Sequence, residues 1–147
     1  MNPDRIYASQ STGWFGQIIQ RSDDGGKTWE QVLSISDKTG AVDLSIDPKN
    51  PSVMFASMWT VRREPWSITS GSMEGGLFRT LDGGTTWQPV VNNLPGTDIH
   101  GFAMSPDDPA HLYAFVVGRG LFQSRDAGAS WQPLSRQVPG DVMSLAA

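Results

Sequence analysis

One eight-residue pattern occurs three times along the chain and restricts the fold more than any other feature. The copies are SDDGGKTW at 22–29, TLDGGTTW at 80–87 and SRDAGASW at 124–131, and all three fit S/T-x-D-x-G-x-S/T-W. A second motif, which starts with proline and ends with an aromatic residue and alanine, precedes each copy at 3–8, 51–56 and 109–114. Because the two motifs always come in the same order, the chain is predicted to repeat one structural unit.

The spacing of the repeats indicates which unit it is. Trp29, Trp87 and Trp131 are 58 and 44 residues apart, near the roughly 40 to 50 residues of a four-stranded propeller blade. The middle repeat divides into four short strands at 41–47, 53–58, 76–80 and 86–90, separated by turns rich in Pro, Gly, Asn and Asp. No helical period is visible. These observations predict an all-β fold, a β-propeller whose blades have four antiparallel strands.

About three blades are expected within one domain, 1–147. Blade one covers about 3–33 and has a missing or swapped inner strand, blade two covers about 40–91, and blade three about 98–135. Residues 141–147 read as the inner strand of a further blade. Closed propellers have about four to eight blades, and three would leave strand edges open. The preferred interpretation is a part of a larger propeller, and the alternative is self-association of copies through open blade edges.

Composition limits the partners. The net charge is -4 and the eleven Lys and Arg residues are scattered, so no basic surface is expected and nucleic acid is not a predicted partner. The chain has no cysteine, and its two histidines have no metal-ligand spacing, so neither a metal site nor a cofactor is predicted. No stretch approaches about 18 apolar residues, and the first ten residues lack an apolar segment, so no membrane span or signal peptide is expected within this chain.

The repeated pattern itself is interpreted as a structural turn. An Asp just before glycine accepts backbone N–H groups across a turn, glycine supplies positive φ, and the tryptophan packs on its neighbours. A calcium loop would need more carboxylates at alternate positions. The residues assigned to this structural role are Ser22, Asp24, Gly26, Trp29, Thr80, Asp82, Gly84, Trp87, Ser124, Asp126, Gly128 and Trp131.

The three copies resemble the Asp-box, or bacterial neuraminidase, repeats of β-propellers. Such repeats occur in sialidases, xyloglucan-type hydrolases, sortilin-type receptors and photosystem II assembly factors. The resemblance implies that the boxes lie on the face away from the ligand, and it suggests an extracytoplasmic location, which the chain itself leaves open. The functions of these families differ, so the resemblance fixes the architecture more closely than the activity.

An insertion in blade two is the first candidate site. The alanine of the upstream motif and the box tryptophan are 31 residues apart in this blade, against 21 and 17 in the other two. The extra residues fall in a predicted loop at 58–75, between the second and third strands, and loops of this length are often functional. Its Trp59, Arg62, Arg63 and Trp66 suit a sugar ring or an anion. The favoured alternative is that the tryptophans fill a gap between blades and the arginines are solvated.

Two further sets complete the predicted ligand-binding residues. Trp14, next to Phe15, occupies the equivalent loop of blade one. Asp98, His100 and Asp141 lie where the inner strands begin, near a propeller axis, and can line a central polar pocket. The favoured alternative there is a turn-capping aspartate and a hydrogen-bonded histidine. The other histidine, His111, is predicted to lie at the surface.

Catalysis is not assigned to any residue. Glycoside hydrolysis needs two carboxylates about 5 to 10 Å apart, and the only plausible set on the face opposite the boxes is Glu64, Glu74, Asp98 and Asp141. The sialidase Arg-Ile-Pro signature is not matched at Asp4-Arg5-Ile6-Tyr7. The preferred function is therefore a non-catalytic binding or scaffold module for a protein or carbohydrate, and the alternative is a fragment of a sialidase-like or xyloglucanase-like glycoside hydrolase.

Overall fold

The computed structural model describes residues 2–10, 18–71, 73–90, 93–135 and 145, with the backbone alone for 61–63. These residues form twelve strands: β1 (Ile6–Ser9), β2 (Ile18–Ser22), β3 (Glu30–Ser34), β4 (Thr39–Ile46), β5 (Met54–Glu64), β6 (Ser67–Ser70), β7 (Gly76–Thr80), β8 (Gln88–Pro89), β9 (Ile99–Met104), β10 (Leu112–Val116), β11 (Gly120–Ser124) and β12 (Gln132–Ser135). Within these ranges, no helix has the length and hydropathy needed to cross a membrane.

The strands pair into three antiparallel sheets that follow one another along the chain. Blade one is β1-β2-β3, blade two is β4-β5-β7-β8 with β6 attached to β5, and blade three is β9-β10-β11-β12. The predicted all-β fold with four-stranded antiparallel blades is therefore confirmed in blades two and three. Blade one has three strands among the described residues, and none of the described strands pairs with the edge of β1 where the other blades carry their inner strand.

The insertion in blade two, predicted as a loop at 58–75, lies between the second and third strands as expected and contains a β-hairpin. Strand β5 continues to Glu64 and pairs with β6 from Val61 opposite Ser70 to Glu64 opposite Ser67. The β-branched residues Thr60, Val61, Ile68 and Thr69 favour extended backbone, and a two-residue turn joins the strands. The insertion therefore lengthens the second strand beyond its predicted end.

Each box is a turn closed around one carboxylate. In blade two, Asp82 Oδ1 accepts the Thr80 hydroxyl at 2.7 Å and the Thr86 N–H at 2.9 Å, while its Oδ2 accepts the Thr86 hydroxyl at 2.6 Å. The same three bonds form at Asp24 and at Asp126. The bonds to the Thr or Ser hydroxyl hold the pKa of all three carboxyls down to about 2.

The box turn also binds the upstream motif of its own blade. In each box the residue after the aspartate has positive φ, and its N–H donates to a carbonyl of that motif. The pairs are Gly25 with Asp4 at 2.9 Å, Gly83 with Ser52 at 2.9 Å, and Ala127 with Ala110 at 3.0 Å. The two sequence motifs are thus neighbours in space, which explains their constant order.

A side chain of each earlier blade holds the box of the next blade. The Tyr7 hydroxyl and Arg21 Nη1 both donate to the Gly83 carbonyl at 2.9 Å. Arg79 Nη1 donates to the Ala127 carbonyl at 3.0 Å. Buried apolar side chains form the rest of the contact between blades. One apolar cluster joins blades one and two, and another joins blades two and three. Neighbouring blades are therefore joined by apolar packing and by a donor aimed at a box carbonyl.

The lowered pKa of the box carboxyls predicts acid sensitivity. Because the folded pKa lies near 2 and the ordinary value is 3.8, the carboxylates stabilise the fold above pH 3.8, and this stabilisation is lost as the pH falls toward 2. We expect Asp82→Asn to make the free energy of unfolding less dependent on pH over this interval, as measured by urea titration. Asp107→Asn, at an exposed turn, is the control. Equal pH dependence of Asp82→Asn and wild type would contradict the assignment.

The positive φ of Ala127 predicts that glycine at this position would stabilise the fold. Its φ is 55°, where boxes one and two have glycine, and a side chain in this region costs about 1 kcal/mol. Ala127→Gly should raise the free energy of unfolding by about that amount. The matched control is Gly128→Ala, whose Cβ would meet Val90 Cγ1 at 3.2 Å with φ +84°, and it should lower stability. Chemical denaturation measures both, and a less stable Ala127→Gly would refute the prediction.

Candidate functional site

The described end of the molecule opposite the boxes brings together side chains from blades two and three. Trp59 lies on β5 where the hairpin extension begins, opposite Gly40 of β4. Its ring meets the His100 ring of β9 with centroids 4.4 Å apart and planes at 61°. This edge-on contact holds the two rings against each other.

Asp98 lies beside this ring pair, just before β9. Its Oδ1 is 3.4 Å from His100 Nε2, and the two atoms do not form a hydrogen bond. Its backbone is fixed, because the Val117 N–H donates to the Asp98 carbonyl at 2.9 Å. The carboxylate and the imidazole are therefore adjacent without satisfying one another.

Three buried polar atoms of this cluster lack a hydrogen-bond partner: Trp59 Nε1, Asp98 Oδ1 and His100 Nε2. Buried polar groups are nearly always paired, and leaving one unpaired costs free energy. The indole is a donor, the carboxylate oxygen is an acceptor, and the imidazole nitrogen takes either role with its tautomer. The cluster therefore suits a group that both donates and accepts, such as a hydroxyl.

Gly71 permits the hairpin to return close to Asp98. Its N–H donates to the Thr60 carbonyl at 2.9 Å, and its φ is +83°. A Cβ at this position would lie 2.5 Å from Asp98 Oδ2, closer than atoms can approach. The hairpin and the carboxylate are thus held together through a position that only glycine fills without strain.

A depression of about 400 Å³ adjoins Asp98. Its lining also includes Gly71 and the exposed Arg119 from the turn between β10 and β11. Arg119 was not among the residues predicted from sequence, although its turn lies on the same face as the insertion and the pattern Gly-Arg-Gly marks it as a turn. Arg119 adds a charged hydrogen-bond donor to the residues that line the depression.

The other predicted site residues are placed as follows. Trp66 lies at the hairpin turn and is 82% exposed. Arg62 and Arg63 pair through their backbones with Thr69 and Ile68, and their side chains lie outside the described part. Trp14, Phe15 and Asp141 also lie outside it. The described residues that converge are therefore Trp59, Asp98 and His100, drawn from two sets that sequence reasoning had kept apart.

The remaining acidic candidates are engaged elsewhere. Glu74 Oε2 accepts the Ser36 hydroxyl at 2.8 Å, with the Thr39 hydroxyl at 3.4 Å. Glu64 is half-buried in the hairpin opposite Ser67. Among the described side chains, no group of three or more His, Cys, Asp or Glu is arranged to hold a metal ion.

His111 is predicted to lie at the surface, and the structure leaves it partly exposed. It is half-buried, with Nε2 at 3.2 Å from Gln123 Oε1 and its ring 4.6 Å from that of Tyr113. The reason is that β11 runs beside β10 and places Gln123 next to the start of that strand. The His111 side chain is thus in contact with the side-chain amide of Gln123.

A wider groove of about 760 Å³ runs along the open edge of β1 and is lined by Ile6, Val42, Asp43, Leu44 and Ile46 among others. Burial raises the pKa of the Asp43 carboxyl. The side chains that line this groove do not include the unpaired buried atoms described above. We interpret the groove as space beside an unpaired strand edge, and the candidate site as the Trp59, Asp98 and His100 cluster.

Comparison with known proteins agrees with the box motif. A family model, the BNR/Asp-box repeat, matches residues 20–31. No curated protein sequence matches the chain.

Several solved structures share the fold. A GH74 enzyme from Niastella koreensis has a TM-score of 0.67 at 17% identity, over 88% of this chain and 19% of that one. A GH74 xyloglucanase from Xanthomonas campestris has a TM-score of 0.62 at 19% identity, over 95% of this chain and 23% of that one. An ancestral GH74 enzyme has a TM-score of 0.66 at 16% identity, over 93% of this chain and 18% of that one. The chain thus spans about a fifth of the length of these structures, and the likeness confirms the Asp-box β-propeller fold alone.

The close approach at Gly71 gives a direct test of the cluster. Gly71→Ala places a methyl group against the Asp98 carboxylate and forces a side chain into positive φ, so we expect both the hairpin and Asp98 to shift. The measurement is the amide spectrum by NMR, with shifts concentrated at Trp59, Asp98 and His100. Gly118→Ala is the control, because its φ is +69° and its Cβ would meet no atom within 4 Å. Identical spectral changes in both variants would contradict the described contact.

Proposed function

We propose that this chain is a non-catalytic β-propeller binding module, and that a carbohydrate is its ligand at Trp59, Asp98 and His100. One observation carries the proposal: three buried polar atoms without partners converge where the hairpin of blade two meets blade three. A site with unpaired buried groups is matched by a ligand that supplies the missing bonds.

A sugar supplies bonds of the required kinds. Each hydroxyl donates to a carboxylate such as Asp98 and accepts from an indole such as Trp59, and the apolar face of a pyranose packs on aromatic rings. Arg119, on the rim of the depression, adds donors for hydroxyl or acidic substituents. Of the three cluster residues, Asp98 lines the depression, and the rings of Trp59 and His100 contact one another beside it.

Binding is favoured over hydrolysis by the number of carboxylates that the described residues bring to the depression. Glycoside hydrolysis uses two, and Asp98 is the acidic residue among those that line the depression. Glu74 already accepts a hydroxyl from Ser36. A glycoside hydrolase remains the alternative function, with the fold likeness to GH74 enzymes as its support.

Isothermal titration with xyloglucan and cellulose oligosaccharides tests the proposal. Asp98→Asn removes the charged acceptor, and Trp59→Phe removes the indole donor while keeping a ring. Loss of one such bond should weaken binding roughly tenfold. Asp107→Asn, at an exposed position in the turn between β9 and β10, should bind like wild type.

Two outcomes would count against this function. Equal affinities of wild type, Asp98→Asn and Trp59→Phe would remove the cluster from the binding site. Release of reducing sugar by the wild-type chain, lost in Asp98→Asn, would favour the hydrolase alternative over a binding module. Circular dichroism of each variant checks that its fold is retained.

A further inference from the structure

A network of hydroxyl groups lies at the base of the blade-two hairpin and ends on one carboxylate. The Thr39 hydroxyl is 2.7 Å from that of Thr60, and both residues are buried, at 0% and 5% exposure. Glu74 Oε2 accepts the Ser36 hydroxyl at 2.8 Å and lies 3.4 Å from the Thr39 hydroxyl. Hydrogen-bonded side chains in a buried network hold one another in a single arrangement.

The members of this network come from three segments that are distant along the chain. Ser36 and Thr39 are bridged across the turn that leads into β4. Thr60 lies in β5, opposite Thr39. Glu74 belongs to the segment that leaves the hairpin and leads into β7. The Glu74 carboxylate therefore ties the end of the hairpin to the turn before β4.

The network lies next to the indole of the candidate site. Thr60 follows Trp59 in β5, and successive residues of a strand point to opposite faces of the sheet. Thr60 points to the network, and Trp59 points to the other face, where it meets His100. The Thr60 carbonyl also accepts the Gly71 N–H at 2.9 Å. A shift of β5 at this point would therefore disturb both the network and the contact between the two rings.

The segment held by Glu74 also forms a wall of the depression beside Asp98. Gly71 and Met73 both line the depression, and Met73 immediately precedes Glu74 in the sequence. The Met73 side chain is 94% exposed, so its packing contributes little to holding this wall. The hydrogen bonds of Glu74 act directly on the neighbouring residue.

We propose that Glu74 is a positioning residue of the carbohydrate site. Its carboxylate, bound to Ser36 and Thr39, orders the base of the hairpin and with it the Trp59 ring and the wall of the depression. This inference rests on the proposed binding function. A site that is already ordered loses less conformational entropy when its ligand binds, so Glu74 contributes to affinity through the position of Trp59 and the wall.

Fluorine NMR of the whole chain labelled with fluorotryptophan tests the positioning without a ligand. Trp59→Phe identifies the Trp59 resonance. Glu74→Ala removes both hydroxyl contacts and should shift or broaden that resonance, while the other tryptophan resonances keep their positions. Glu74→Gln keeps an acceptor oxygen and should restore the wild-type spectrum. Asp37→Ala is the matched control, because it removes an exposed carboxyl group from the same turn as Ser36, and it should leave the spectrum unchanged.

Isothermal titration with xyloglucan and cellulose oligosaccharides measures the effect on binding. Glu74→Ala should weaken binding roughly tenfold, since the ligand must then order a loose wall. Glu74→Gln and Asp37→Ala should bind like wild type. Urea denaturation of each variant separates this effect from a loss of stability, because the weaker binding should persist where Glu74→Ala is fully folded.

Three results would overturn the role of Glu74. They are an unchanged Trp59 resonance in Glu74→Ala, equal affinities of Glu74→Ala and a wild type that binds, and changes in Asp37→Ala as large as those in Glu74→Ala. Wild type that binds neither oligosaccharide would instead overturn the proposed carbohydrate ligand. The fluorine spectrum would then still decide whether Glu74 positions the Trp59 ring.

Discussion

The contact on which the structure depends is the box carboxylate, which accepts two hydroxyl groups and a backbone N–H within one tight turn. Charge-assisted hydrogen bonds are the strongest of their class, and here they fix the path between the last two strands of a blade. The pKa of Asp24, Asp82 and Asp126 is lowered because the hydrogen bonds of the turn favour the ionised form of each carboxyl group. Each blade is closed by this turn and by its bond to the upstream motif.

The same turn organises the contact between blades. By bonding inward through the carboxylate, it leaves a carbonyl of the box directed at the preceding blade, where Tyr7, Arg21 or Arg79 donates to it. The boxes therefore have a structural role at one end of the molecule. The hairpin of blade two extends the opposite end, where Trp59, Asp98 and His100 each carry an unpaired buried polar atom. Other such atoms occur at Gln10, Arg21 and the box residues Trp87 and Trp131. The boxes and the proposed binding cluster thus lie at opposite ends of the blades.

The fold was predictable from sequence because its determinants are local. The box pattern needs eight neighbouring residues, and its turn chemistry follows from Asp and Gly alone. The site was predictable only in part. Trp59 and His100 were both chosen as candidates, but their contact depends on the packing of blade two against blade three, which brings β5 beside β9. Such long-range contacts leave no local pattern, and Arg119 was missed for the same reason.

Native-state hydrogen exchange of the box amides tests the central claim most directly. The N–H groups of Thr28, Thr86 and Ser130 each donate to the carboxylate of their own box. If the boxes belong to the cooperative structure, these amides should exchange only through global unfolding, with the free energy of the core strands. Exchange of the three amides through local opening, at rates near those of exposed loops, would show that the boxes are peripheral turns and would contradict the account.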